Sequence, residues 1–104
     1  MAFTDPFPGL KTPLSNEDMI RALRLDLSLE QDAISVYTAH AKNTDNIMVK
    51  TILRSIADEE KVHAGEILRV IEVLTGDEAD FMLKGAHEVE SKFPNLRYNP
   101  KVGG

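Results

Sequence analysis

The chain has 104 residues, enough for one domain, and its 42% hydrophobic content is ordinary for a folded protein. A net charge of −5, with no basic patch and no aromatic–basic interleaving, argues against a nucleic-acid partner. There is no Cys, which excludes disulfides, zinc fingers and iron–sulfur centres. No apolar run reaches membrane-span length and no basic-then-apolar leader opens the chain, so the expectation is a cytoplasmic protein with no membrane partner.

With two Tyr, four Phe and no Trp, a core has to come from Leu, Ile, Val and Ala, as in helical bundles. Residues 1–14 hold Pro6, Pro8 and Pro13 and read as an extended N-terminal arm. Phe3, Phe7 and Leu10 either anchor that arm on a neighbouring surface or belong to a disordered tail. The helical domain is expected over 15–93. Ser15 caps its first helix, with Asp18 answering three residues later. That helix, about 16–43, has no internal Gly or Pro. Steps of four and three give Ile20, Leu23, Leu27, Glu30, Ile34, Tyr37 and Ala41, an apolar row broken at its centre by one carboxylate. A second row, Ala22, Leu25, Leu29, Ala33 and Val36, lies nearly opposite. A two-helix hairpin covers one face only, so this row asks for a third helix or another subunit.

Asn43-Thr44-Asp45-Asn46 is a polar break that reads as a short turn, with Thr44 or Asp45 capping the next helix. The second helix, about 46–75, carries the row Val49, Leu53, Ile56, Glu60, His63, Ile67, Val70 and Leu74. Gly65 lies inside it, at a cost of ~1 kcal/mol relative to Ala, and a close helix approach would explain it. Gly76 is a left-handed C-terminal cap and Asp77 starts a third helix, about 78–92, with Ala79, Met82, Leu83, Ala86 and Val89. Pro94 ends it, and 94–104 read as a polar tail. His87 and His40 are expected to be structural or exposed.

Glu60-x-x-His63 places a carboxylate and an imidazole three residues apart, ~300° of helical turn, so both leave one face of the helix. Glu30 and Glu60 lie almost equally far from the turn, so an antiparallel hairpin brings Glu30, Glu60 and His63 to one level. Carboxylates inside a bundle are costly unless they are paired or bind metal. The trio therefore reads as a metal site, or as a hydrogen-bonded Glu–His pair that fixes helix register. One Glu plus one Glu-x-x-His is half of a carboxylate-bridged di-metal site, and a twofold pairing of two chains would supply the other half. Such donors suit iron or manganese, and zinc can substitute. Tyr37, one heptad beyond Glu30, is either a neighbour of the site or a packed core residue. Asp32, Asp58, Glu59 and Glu66 either guide metal inward or form a solvated face.

Glu30 and Tyr37 in LEQDAISVYTAHA, with Glu60 and His63 in IADEEKVHAGEIL, resemble the ferritin-like superfamily near the rubrerythrins. The single-hairpin length and short third helix resemble the encapsulated ferritins over about residues 15–92. The resemblance implies an all-α fold: a two-helix hairpin plus a short C-terminal helix, completed to a four-helix ferritin-like bundle by homodimerisation. It also implies a ring of dimers, a decamer, inside an encapsulin nanocompartment. The activity implied is a ferroxidase that oxidises Fe(II) to Fe(III) with oxygen for iron storage. Its di-iron ligands would be Glu30, Glu60 and His63, with Tyr37 beside them. That family tends to carry extra acidic residues and a Trp around the first Glu; here Leu29 and Val36 stand near those places, and only Asp32 remains acidic. The tail through Lys101-Val102-Gly103-Gly104 shows no complete shell-targeting peptide. Two competing readings are a rubrerythrin-like peroxide reductase, for which a Cys-ligated electron donor is lacking, and a non-catalytic helical assembly module stabilised by metal.

Overall fold

Three helices account for most of residues 13–96, the part of the chain that the computed structural model describes. They are α1 (Asn16–Lys42), α2 (Ile47–Thr75) and α3 (Glu78–Lys92), and no strand occurs among the described residues. The all-α expectation holds, with helix limits within one residue of those read from the sequence. Nearly all of the predicted arm and the tail from residue 97 onward lie outside the described residues. No helix among the described residues is long and apolar enough to cross a membrane.

The helix ends follow from local chemistry. Ser15 Oγ accepts the Asp18 N–H at 3.1 Å, which satisfies one of the free N–H groups of the first turn. The Asp18 carboxylate does not return the bond; it lies 3.6 Å from the Arg21 guanidinium. The turn corrects the expected cap of α2. Asn46 is the cap, its Oδ1 accepting the Val49 N–H at 3.1 Å, while Thr44 Oγ1 accepts the Asn46 N–H at 3.2 Å. Thr44 thus shapes the turn and hands the capping role two residues on. Gly76 closes α2 at φ +82°, a left-handed conformation that side chains resist, and donates its N–H to the Glu72 carbonyl at 3.0 Å. Asp77 precedes α3 as expected, but its side chain makes no capping bond.

α1 and α2 pack against each other along their length as an antiparallel hairpin, whereas α3 packs only against α2, near their junction. Among the described residues the buried apolar ones are Ala41, Ala57 and Ile71. Two of these correct the sequence reading: Ala57 and Ile71 are not in the row counted on α2. That row lies to one side of the contact line, and Val49 and Val70 in it are exposed. An alanine at the point of contact lets the two helix backbones approach closely. Gly65 plays no such role within the chain, because a Cβ added there meets nothing within 4 Å.

A second α2 row follows the same four-and-three spacing: Ile52, Ile56, Glu59, His63, Glu66, Val70 and Val73. Ile52, Val70 and Val73 in it are exposed, as are Leu29 and Val36 of the second α1 row. Helical angles put these two rows on the same side of the hairpin. The partner that the second α1 row asks for is therefore not α3.

Candidate metal centre

Glu30 projects from the middle of α1, and Glu60 and His63 from the middle of α2. One donor atom from each lies within 4.8 Å of the others, and among the described residues this is the one such group of three or more His and acidic side chains. His63 Nδ1 is 3.8 Å from Glu30 Oε2 and 3.7 Å from Glu60 Oε1. Both distances exceed hydrogen-bond length. The reading of a hydrogen-bonded Glu–His pair is thus not what the geometry shows.

Burial is graded across the trio. The Glu60 and Glu30 side chains are 19% and 27% exposed, and His63 is 50% exposed. Glu30 Oε2 is itself buried and has no hydrogen-bond donor. A carboxylate oxygen removed from water with no donor is costly, and the cost is relieved by a proton or a cation. Hard and borderline cations accept two carboxylates and an imidazole readily. The donor set therefore fits an iron, manganese or zinc ion.

The remaining candidates are spread out. Tyr37 is half-buried on α1, two turns beyond Glu30. Asp32, Asp58, Glu59 and Glu66 are all exposed and stand outside the trio. Asp58 is engaged with Lys61 at 3.2 Å. His40 and His87 are exposed. Sequence reasoning missed one contact of consequence, the Arg24–Glu78 ion pair between α1 and α3. Its partners are 54 positions apart, and no local spacing could have signalled it.

A helical hairpin with Glu on one helix and Glu-x-x-His on the next is the arrangement that a family comparison can decide. Residues 22–99 match the rubrerythrin family. The chain belongs to that family. It is 36% identical over 80 residues to the encapsulin nanocompartment cargo protein EncC of Myxococcus xanthus, covering 76% of this chain and 62% of that protein. It is 32% identical over 78 residues to a ferritin-like–encapsulin shell fusion protein of Pyrococcus furiosus, covering 75% of this chain and 23% of the fusion. This rubrerythrin-family chain thus spans less than two thirds of the length of either relative. Among solved structures it superposes on the encapsulated ferritin domain from Pyrococcus furiosus with a TM-score of 0.77 and 27% identity, over 88% of this chain and 93% of that one. The ferritin-like fold read from the sequence is therefore the fold of the protein.

Proposed function

We propose that two copies of this chain pair across the face that bears His63 and form a di-iron ferroxidase centre, with Glu30, Glu60 and His63 of each copy as the ligands. The observation that carries this reading is the buried Glu30 Oε2, which lacks a donor and belongs to the one group of three or more close His and acidic side chains among the described residues. One Glu and one Glu-x-x-His make half of the known four-helix site, and the second half has to come from another chain. The exposed apolar residues beside His63 support the same pairing. Leu29, Val36, Ile52, Val70 and Val73 lie in water on the single chain, and a second copy would cover them.

Ferrous ions are the substrate. Each gives up one electron, and a pair supplies the two electrons that, with two protons, convert dioxygen to hydrogen peroxide. The Glu30 and Glu60 carboxylates favour the more highly charged ferric product over the ferrous substrate, which assists oxidation. The His63 imidazole would contribute a nitrogen lone pair and leave the site less anionic than a third carboxylate would. The half-exposure of His63 supports a site at the pairing face, one that ions would reach before or during assembly. Tyr37 is assigned to the periphery of the centre. The encapsulin-related names of the relatives support cargo status in an encapsulin shell. In the proposed reading the dimers close into a ring, a decamer, inside a cytoplasmic nanocompartment, and ferric iron is stored around them.

The test is aerobic Fe(II) oxidation, followed by oxygen consumption and ferric absorbance together, with Glu30→Ala and His63→Ala alongside. Rapid oxidation that both variants lose is the expected result. Oxidation no faster than buffer by a correctly assembled protein overturns the ferroxidase and leaves a structural metal site. Such a site would show as loss of assembly when metal is chelated.

A further inference from the structure

α3 is attached to the rest of the chain in an unusual way. It is 15 residues long and has no buried residue. It makes no packing contact with α1 and only a small one with α2. The junction is two residues, Gly76 in the left-handed region and Asp77 without a side-chain cap, and space around Gly76 is open. The junction's own bonds, from the Gly76 N–H to the Glu72 carbonyl and from the Asp80 and Phe81 N–H groups to the Asp77 carbonyl, are all local and do not tie α3 to α1.

One contact does. Arg24, in the third turn of α1, presents two N–H groups to the two carboxylate oxygens of Glu78, the first residue of α3: Nη1 to Oε2 at 3.0 Å and Nη2 to Oε1 at 2.6 Å. The fork-to-carboxylate geometry constrains orientation as well as distance. The Glu78 side chain is 15% exposed, although Arg24 is 49% exposed. The hydrogen bonds from Arg24 hold the Glu78 carboxyl below its ordinary range and raise the guanidinium further. Glu78 also stands at the positive end of the α3 dipole, where a carboxylate is favoured.

We infer that α3 is a lever hinged at Gly76–Asp77 and that the Arg24–Glu78 pair is the latch that sets its angle to the hairpin. The pair sits at the hinge, so small rotations there are amplified. α3 is ~22 Å long, and ~10° at its start moves its far end by ~4 Å. The latch therefore aims the exposed apolar residues Phe81, Met82, Val89 and Phe93. In the ring of dimers proposed above, on which this last step alone rests, a fixed aim gives one closed size and a loose aim gives several.

The test uses the absence of Cys in the chain. Ser28→Cys on α1 and Ser91→Cys on α3 take spin labels, and the full-length labelled chain is diluted with unlabelled chain so that intrachain distances dominate. The expected result is a narrow distance distribution that broadens in Arg24→Gln and equally in Glu78→Gln. The double variant should be no broader than either single variant, because both remove the same contact. Molar salt should broaden the parent and leave the variants unchanged. Circular dichroism confirms that α3 stays helical in each. Distributions that stay narrow in the single variants, or broadening that adds in the double variant, overturn the latch. Native mass spectrometry of the unlabelled proteins reads the assembly separately. A single size in the parent and a mixture in Arg24→Gln supports the aiming role, and the same single size in both overturns that role. A monomeric parent overturns the ring reading and leaves the latch to the distance measurement.

Discussion

The hairpin and α3 are built from similar amphipathic sequence and hold their positions by opposite means. α1 and α2 stay together by packing over many turns, with Ala41, Ala57 and Ile71 excluded from water. α3 buries nothing fully and is placed by a two-residue junction, a short stretch of packing on α2 and one ion pair to α1. The metal-competent trio belongs to the first region, where position is fixed by many contacts at once. The metal centre proposed for the trio would need that redundancy, since donors a fraction of an ångström out of place lose much of their value. An element that only presents a surface can be placed by one polar contact and trimmed by solution conditions.

The sharpest way to break this contrast is at Ile71, the largest fully buried side chain. Ile71→Ala is expected to destabilise the hairpin by about 2–5 kcal/mol. Denaturant unfolding at fixed protein concentration should show the loss, and a loss below that range would mean that the hairpin is not held by its packing. Next in size, Glu30→Gln should remove metal-dependent stabilisation worth ~2.7 kcal/mol at a hundredfold excess of ligand over its dissociation constant. The metal-free chain should be as stable as the parent or more so, because the orphaned charge is gone. Thermal melts with and without redox-inert Zn(II) check both statements. A metal-free variant less stable than its parent would show that Glu30 serves packing.

Gly76→Ala acts at the border between the regions. Its φ of +82° is adverse for any residue with a Cβ, and the expected cost is about 1–2 kcal/mol. Hydrogen exchange should speed up at the end of α2 and throughout α3, while amides near Glu60 keep their protection. The smallest effect is that of pH on α3. The folded-state Glu78 carboxyl is lowered, so the latch contributes above the ordinary carboxylate range and is lost as pH falls through that lowered value. Exchange in α3 should therefore quicken, relative to its intrinsic rate, at acid pH in the parent, and the quickening should be absent in Glu78→Gln.

What could be read from the chain divides along the same line. The helices, the Ser15 cap and the Gly76 cap were legible because each depends on neighbours within four residues. The level match of Glu30 with Glu60 and His63 was legible because a short turn forces an antiparallel pair. The true line of helix contact was not. Counting large apolar residues favours Val49 and Val70, whereas close contact selects a small one, Ala57, and that choice depends on the opposite helix. The cap at Asn46 was missed because Thr44 was read as a cap when it shapes the turn. The close helix approach expected at Gly65 does not occur among the described residues of this chain.

The mirror arrangement of the hairpin also governs where the chain tolerates a change of length. One residue inserted into α2 between Ile47 and Glu60 would swing the helical residues before it by ~100° relative to Glu60, taking either the packing face or the Glu30–Glu60–His63 trio out of register. One residue added within Thr44–Asp45 leaves both helices internally intact and at most slides one along the other by a fraction of a turn. Loop extensions, tags and circular-permutation joints belong in that turn; the two stretches that link it to Glu30 and Glu60 have a fixed length.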